Sequence, residues 1–177
     1  MSVTPIEVLD TATKIGLGGI ITLVGSIVVV RLNHNNEEKK ERSRRFFDAL
    51  EEASTDIEET THIALRYWAL VIEWVRNQRQ GLDLLESRRG ELEKTKRDLF
   101  DSFRQMTASE AKLMLFGCTP AATLARGYGE FLKNMRRQYF DGQNGLTEEQ
   151  MNEVRQQLLA KRESLFDELA KAYKRGS

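Results

Sequence analysis

Residues 15–32 read IGLGGIITLVGSIVVVRL, and this stretch decides the architecture predicted for the chain. No charged residue occurs from Ile15 through Val30, and the run consists mostly of Ile, Val, Leu and Gly. Because a helix rises about 1.5 Å per residue, a segment of this length is at the short end of what crosses about 30 Å of hydrocarbon. We therefore predict a single-pass transmembrane helix over residues 15–32, preceded by a short extracytoplasmic tail, residues 1–14.

A cleaved signal peptide is the main alternative to this anchor. The residues before the apolar run include Glu7, Asp10 and Lys14 instead of a basic cluster, and no small-x-small cleavage site follows the run. A buried core helix is the other alternative, but it would be apolar on every face in a protein too small to surround it. These observations favour an uncleaved anchor.

Basic residues are far more frequent after the apolar run than before it. Lys and Arg near a transmembrane end are retained on the cytoplasmic side, so the sequence predicts an external N-terminus and a cytoplasmic domain at the inner face of the plasma membrane. Lys14 precedes the run and Arg31 closes it. The next basic residues are candidates for contact with lipid head groups, although the interspersed Glu37, Glu38 and Glu41 fit a plain solvated helix equally well. These candidates are Lys39, Lys40, Arg42, Arg44 and Arg45.

Three small residues recur every four positions within the predicted span: Gly18, Thr22 and Ser26. On a helix they form one line, and small-xxx-small lines let two transmembrane helices approach closely. They are the candidate residues for packing between spans.

Overall composition favours helices and argues against nucleic-acid binding. Basic and acidic residues number 27 each, so no net field attracts a polyanion. The chain has only two prolines, and its long stretches of Glu, Lys, Arg, Leu and Ala are typical of helices. Cys118 is the single cysteine, which excludes an intrachain disulfide and fits a buried small apolar side chain.

After a polar joint, residues 33–36, four amphipathic segments are predicted within residues 37–177. The first continues to about Gln80. The second resumes at Leu82 and carries leucine or methionine every seven residues from Leu85, as in a coiled coil. Thr119 is the predicted N-cap of the third, with Pro120 in its first helical position. Thr147 and Gln150 form a predicted capping box for the fourth.

The predicted fold class is therefore all-α: an N-terminal transmembrane helix followed by a cytoplasmic antiparallel four-helix bundle with one long helical hairpin. In this layout the Cys118 turn and the C-terminal tail face the lipid, and the Gly81 and Gly142 turns face away. The third helix is much shorter than the first, so the far end of the hairpin should project beyond the bundle.

The projecting end carries apolar and aromatic residues around most of its helix circumference, which a two-helix tip cannot cover. We predict that it forms a homo-oligomer contact or receives a protein partner, because tryptophan and tyrosine often dominate interface energies. The alternative is that helix three or four covers it within one chain. The residues are Tyr67, Trp68, Val71, Ile72, Trp74 and Val75.

No motif for catalysis, metal or nucleotide binding stands out. Glu59 and His62 have the Glu-x-x-His spacing of di-metal bundles, but such sites need the pair twice, and the other histidine, His34, lies in the polar joint. Adjacent carboxylates occur on solvated helix faces, where nothing raises the pKa of one above the pKa of the other, as acid–base catalysis by a pair requires. The sequence predicts neither a cofactor nor an enzyme.

Function is therefore predicted from location and surface. The favoured hypothesis is a membrane-tethered interaction or scaffold protein whose partners are membrane lipid and a second copy or another protein. The alternative is a membrane-active effector or accessory subunit, toxin-like or part of a defence system, that alters permeability.

Overall fold

The computed structural model describes the backbone of residues 5–176 and the side chains of residues 37–176. All regular structure in that part is helical, which confirms the all-α prediction. The chain forms two compact units, Met1–Arg45 and Phe46–Ser177, and the second holds the bundle. The helices are α1 (Pro5–Arg79), α2 (Glu86–Leu115), α3 (Thr119–Gln138) and α4 (Glu148–Gly176).

Residues 37–176 include no helix with the length and apolar character that a membrane crossing requires. The predicted transmembrane helix, residues 15–32, lies outside the side chains that the structure describes. So do the tail, residues 1–14, the joint, residues 33–36, and the small residues Gly18, Thr22 and Ser26. These assignments stay predictions.

Contacts between α1 and α2 show that the two helices run antiparallel. Arg66 of α1 donates from Nη2 to Oε1 of Glu91 over 2.8 Å. Earlier on α1, Asp56 accepts at Oδ2 from the hydroxyl of Ser109 over 2.9 Å. The later residue of α1 contacts the earlier residue of α2, and the earlier residue of α1 contacts the later one. The two helices therefore form the predicted hairpin.

Helix α4 also packs antiparallel to α1. The indole of Trp68 donates from Nε1 to the carbonyl oxygen of Met151 over 2.6 Å. Further back on α1, Arg162 donates from Nε to Oε2 of Glu58 over 2.7 Å. Helix α1 therefore lies between α2 and α4, as in an up-down-up-down bundle.

Helix α3 contacts α1 through a pair of buried hydroxyl groups. Thr61 donates from Oγ1 to the carbonyl oxygen of Ile57 over 2.7 Å, so it accepts the proton of Tyr128, whose hydroxyl lies 2.8 Å away. Burial raises the pKa of Tyr128 to about 12. The neutral phenol therefore stays a donor at physiological pH, and no buried oxygen of this pair lacks a partner.

The residues spaced by seven along α2 form a buried row, which is the inner seam that the sequence predicts. Small hydroxyl residues occupy the alternate core positions of the same seam, where they let α2 approach its neighbours closely. Their hydroxyls bond back to the backbone or to Asp56, so burial leaves them satisfied. The seam consists of buried Leu92, Leu99, Met106 and Leu113, alternating with Thr95, Ser102 and Ser109.

The predicted Gly81 stop is confirmed: Gly81 has a φ of 70° and donates to the carbonyl of Gln78, while Leu82 donates to that of Asn77. This is a Schellman ending, which needs a residue that tolerates positive φ. The predicted start of α2 at Leu82 is wrong, because residues 82–85 stay outside the helix and α2 begins at Glu86.

The turn between α2 and α3 ends α2 in the same way. Gly117 has a φ of 74°, and the amide of Cys118 donates to the carbonyl of Leu113 over 2.8 Å. The turn is so tight that α3 starts at the next residue. The predicted N-cap at Thr119 is therefore wrong, since Cys118 holds that position and Thr119 is already helical.

The predicted capping box of α4 is confirmed. The amide of Thr147 donates to Oε1 of Gln150 over 3.0 Å, and the amide of Gln150 donates to Oγ1 of Thr147 over 3.2 Å. Two amides that lack a helical partner are thereby satisfied.

Candidate functional site

The six residues predicted to bind a partner lie inside the bundle. Tyr67, Val71, Ile72 and Val75 are at most 3% exposed. Trp68 and Trp74 are half-buried and pack against the core. The structure thus brings all six together, in the arrangement that the sequence left open as the alternative to an exposed patch.

These residues are covered by the α3–α4 loop, residues 139–147, and by the first turn of α4. The hydroxyl of Tyr67 donates to the carbonyl oxygen of Tyr139 over 2.8 Å. The Trp68 indole donates to Met151 at the start of α4, and the guanidinium of Arg155 lies 5.4 Å from the centre of the Trp68 ring. Each aromatic anchor therefore ties α1 to the chain that folds over it.

The projecting hairpin end predicted from helix lengths is absent from the described residues. Helix α3 is short, but the extended loop 139–147 carries the chain onward, and α4 starts level with the end of α1. Arg76 donates from Nε to Oε2 of Glu148 over 2.8 Å, and Arg79 donates from Nη1 to Oε1 over 2.9 Å. The loop spans the distance to the end of α1 that the short helix α3 does not cover.

Burial raises the pKa of Tyr67 well above its ordinary range, and the nearby carboxylate of Asp141 acts in the same direction. The phenol consequently stays protonated, and it donates its proton in the hydrogen bond to the carbonyl oxygen of Tyr139. Tyr67 is a structural donor rather than an acid or a nucleophile.

Glu148 links α4 to α1, and its contribution to stability should depend on pH. Its hydrogen bond with Arg76 holds the pKa of Glu148 below its ordinary value of 4.5. A carboxyl group with a lower pKa in the folded state stabilises the fold above the unfolded pKa, and this stabilisation is lost as pH falls through the folded pKa.

We therefore expect Glu148→Gln to lower the unfolding midpoint at neutral pH, and we expect this difference from wild type to shrink as pH falls below about 4.5. Denaturant titrations followed by tryptophan emission measure it, and added salt should reduce it. Glu149→Gln, at the exposed neighbouring position, is the matched control. A difference that stays constant down to low pH would contradict the role of this ion pair.

The end of the bundle formed by residues 67–85 and 139–147, here called the tip, keeps an exposed surface. A cleft of about 520 Å³ lies between its two loops, with Trp74 and Val75 among its lining residues. In the α1–α2 loop, Leu82 is 56% exposed and Leu85 is 73% exposed. Phe140 of the second loop is also partly exposed, at 38%. Apolar side chains are therefore available on the tip, although four of the predicted six are buried and the two tryptophans are half-buried.

The opposite end, here called the base, comprises residues 46–50, 112–121 and 168–176. The rings of Phe46 and Phe116 lie 6.2 Å apart, and those of Phe47 and Tyr173 lie 4.8 Å apart. These contacts gather the start of the bundle in α1, the α2–α3 turn and the end of α4 at one end. The predicted layout, with the Cys118 turn and the tail together, agrees with this geometry.

The five basic candidates for head-group contact are exposed in the structure. Arg45 donates from Nε to Oε1 of Glu41 over 2.9 Å, and Arg44 lies 3.7 Å from the other carboxylate oxygen. The hydrogen bond from Arg45 lowers the pKa of Glu41. Lys39, Lys40 and Arg42 are also exposed, so the set is accessible to a phosphate group, and its role with lipid stays a prediction.

Within residues 37–176, residues with reactive chemistry are not gathered into a site. Glu59 and His62 both point to solvent, and no group of three or more His, Cys, Asp or Glu within residues 37–176 could hold a metal ion. Cys118 is buried, as predicted, and burial raises the pKa of its thiol. A thiol in that state is a poor nucleophile.

Sequence reasoning missed the exposure of Leu82 and Leu85, because it placed Leu85 on the inner seam of α2 and Leu82 beside that seam. It also missed Met114 and Leu115, which are apolar but lie off the seven-residue seam. That departure from the seam was the available signal. No protein family, curated protein or solved structure matches the chain.

Proposed function

We propose that the chain is a membrane-tethered helical interaction protein that associates with a second copy at the inner face of the plasma membrane. Residues 15–32 are the anchor, with the N-terminus outside and the antiparallel bundle in the cytoplasm. The uncharged run supports the anchor, as does its position within helix α1. The excess of Lys and Arg after the run supports the orientation.

The exposed leucines of the tip carry the proposal of a protein contact. Burying apolar surface contributes roughly 25 cal/mol per Å², and Leu82 and Leu85 leave most of theirs in water. Asp83, between them in sequence, lines the cleft that Trp74 also borders, and exposed apolar groups near an aromatic residue are typical of an interface. The tip therefore has both exposed apolar side chains and a recess.

Membrane tethering favours a second copy as the partner. Two chains anchored in the same orientation hold their tips at the same height above the lipid. A two-fold axis along the membrane normal then brings Leu85 of one chain towards the tip of the other, which is an isologous contact. Confinement to a surface also raises the effective concentration, so a small contact suffices.

The six residues first predicted as the contact have a supporting role in this proposal. Tyr67 and Trp68 fix the α3–α4 loop and the start of α4 by hydrogen bonds. Trp74 and Val75 line the cleft from inside. They shape the tip, and the leucines of the α1–α2 loop make the contact.

The double variant Leu82→Glu with Leu85→Glu tests the contact. We expect it to abolish crosslinking between chains in membranes and to shift the full-length chain in detergent from dimer to monomer in sedimentation. Placing two carboxylates in an apolar contact is unfavourable, and the paired charges of the two copies also repel. Tryptophan emission, which arises from Trp68 and Trp74, should be unchanged because both leucines lie at the surface.

Phe100→Glu is the matched control, because Phe100 is 59% exposed on the side of the bundle. It should leave the dimer intact. Dimer formation by the double variant would contradict the tip contact. Dye-loaded vesicles that contain the wild-type chain should retain their dye, whereas leakage would contradict tethering alone and favour a membrane-active effector.

A further inference from the structure

Four arginines of helices α2 and α3 are available for contacts outside the bundle. Within residues 37–176 they form no ion pair. They are Arg97, Arg104, Arg136 and Arg137. Other arginines of the bundle are paired with carboxylates of neighbouring helices, as are Arg66, Arg88, Arg126 and Arg162.

The side chain of Phe100, which is 59% exposed, lies among these arginines. Residues three or four apart are neighbours on a helix surface, so Arg97 and Arg104 flank Phe100 along α2. The guanidinium of Arg136 lies 5.1 Å from the centre of the Phe100 ring, in a cation–π contact between α2 and α3. An exposed aromatic ring is thus bordered by three arginines.

Arg137 extends this surface along α3. It follows Arg126 by about three helical turns, so both residues lie on the same side of α3. Arg126 donates from Nε to Oε1 of Glu110 on α2 over 2.8 Å, and this side of α3 therefore borders α2. We call the surface formed by Arg97, Phe100, Arg104, Arg136 and Arg137 the arginine face.

Carboxylates near the arginine face offset only part of its charge. The two lysines beside it are each matched by a carboxylate: Glu93 lies 3.6 Å from Lys96, and Glu130 lies 3.8 Å from Lys133. Two further carboxylates lie nearby, Asp101 on α2 and Asp141 in the loop after α3. Four arginines against these two leave a local excess of positive charge, although the whole chain has 27 basic and 27 acidic residues.

We infer that the arginine face binds an acidic segment of a protein partner, with carboxylates on the arginines and one apolar side chain on Phe100. Guanidinium groups form paired hydrogen bonds with carboxylates, and arginine and aromatic residues are enriched in protein interfaces. Arg97 and Arg104 lie about 10 Å apart along the helix axis. About three residues of an extended segment span that distance, so Asp or Glu on either side of an apolar residue can reach both.

A nucleic acid fits this face less well. Proteins that bind single strands without sequence preference combine a long basic groove with aromatic rings on which successive bases stack. The arginine face offers the ring of Phe100, and Arg136 already covers one side of that ring. The face is also separate from Leu82 and Leu85 of the tip, so the inference does not depend on the proposed contact between copies.

Fluorescence anisotropy tests the inference with the full chain in a non-ionic detergent. The probe is a fluorescein-labelled peptide of glutamate residues with one central leucine, and a second peptide has glycine in place of the leucine. We expect the leucine peptide to bind at low salt and its affinity to fall as salt is added. Arg97→Glu with Arg104→Glu should lower the affinity at least about tenfold, because attraction becomes repulsion.

Lys174→Glu with Arg175→Glu is the matched control, since it makes the same change in net charge at exposed positions near the end of α4. It should bind the leucine peptide as wild type does. Phe100→Ala should lower the affinity for the leucine peptide about fivefold, because the apolar contact is lost, and should leave the affinity for the glycine peptide unchanged. Unchanged tryptophan emission in each variant confirms that the bundle is folded.

Failure of the leucine peptide to bind at low salt would overturn the inference, as would an equal loss of affinity in the two charge-reversal variants. Binding of an oligothymidylate that depends on Arg97 and Arg104 and is tighter than that of the peptide would overturn it in favour of a nucleic acid. Leu82→Glu with Leu85→Glu should bind the peptide as wild type does, and Phe100→Ala should still form the dimer. A failure of this inference is therefore distinguishable from a failure of the proposed function.

Discussion

Replacing Tyr67 with alanine is expected to lower the free energy of unfolding of the bundle by about 4 kcal/mol. Tyr67 is only 1% exposed and is among the largest fully buried side chains. The substitution removes a ring from the packed interior, and the surrounding helices can close the cavity only in part. Denaturant titration of the full chain in detergent measures the loss, with tryptophan emission as the signal. Both tryptophans lie in the bundle, so the signal is independent of the predicted anchor.

Tyr67→Phe separates the ring from the hydroxyl. It keeps the packing but leaves the carbonyl of Tyr139 without its donor at 2.8 Å, so we expect a loss of about 1 kcal/mol. Leu85→Ala is the control, since Leu85 is 73% exposed and surface substitutions usually change stability by less than about 0.5 kcal/mol.

The same series decides between the two interpretations of the predicted contact residues. If Tyr67→Ala left stability unchanged and reduced only self-association, Tyr67 would act at an interface, as the sequence analysis first predicted. A large loss of stability, with loss of association when the tip unfolds, would instead show that Tyr67 stabilises the folded structure of the tip. The Leu82 and Leu85 variants then identify the surface that makes contact.

Much of the bundle could be predicted from the sequence because its determinants are local. Thr147 and Gln150 satisfy each other's backbone amides within one turn, so their spacing predicts the start of α4 independently of the fold. The seven-residue spacing of Leu92 and Leu99 indicates which side of α2 faces inward. Gly81 ends α1 because it accepts the positive φ that the ending requires.

The tip could not be predicted, because its burial depends on contacts distant in sequence. Periodicity shows that Tyr67 and Trp68 are apolar on several sides, but it does not show what covers them. The covering element is the loop 139–147. Its glycines and polar residues indicate a turn, but they do not indicate which path the loop follows over the bundle. Counting helix lengths treated this loop as a short connection, and the overhang followed from that assumption.

The start of α2 illustrates a second limit. Leu85 fits the seven-residue pattern that continues through Leu92, and Leu82 lies about one turn before it, so periodicity alone extends the helix too far back. In the structure, Asp83 accepts at Oδ1 from the amide of Leu84 over 2.9 Å, a local bond that competes with the helix. Two leucines assigned to the core are exposed on the tip for that reason, and the site proposed for the partner depends on them.

The pair Leu23→Arg and Ile27→Arg is expected to release the chain from membranes. Both positions lie near the middle of residues 15–32. An arginine at the centre of a transmembrane helix costs about 2.5–3.5 kcal/mol on insertion scales, so two arginines cost roughly 5–7 kcal/mol. A span at the short end of the required length has little apolar surplus to offset that cost. The measurement is the distribution of the full chain between pellet and supernatant after an alkaline wash of membranes.

Leu23→Ile with Ile27→Leu is the matched control, since it exchanges side chains of the same size and polarity and should stay in the pellet. Tryptophan emission of the released arginine variant should match wild type, because the bundle has its own core. That result would separate loss of the anchor from loss of the fold. A wild-type chain already in the supernatant would exclude the anchor. It would also remove the shared height of the tips, which favours a second copy as the partner.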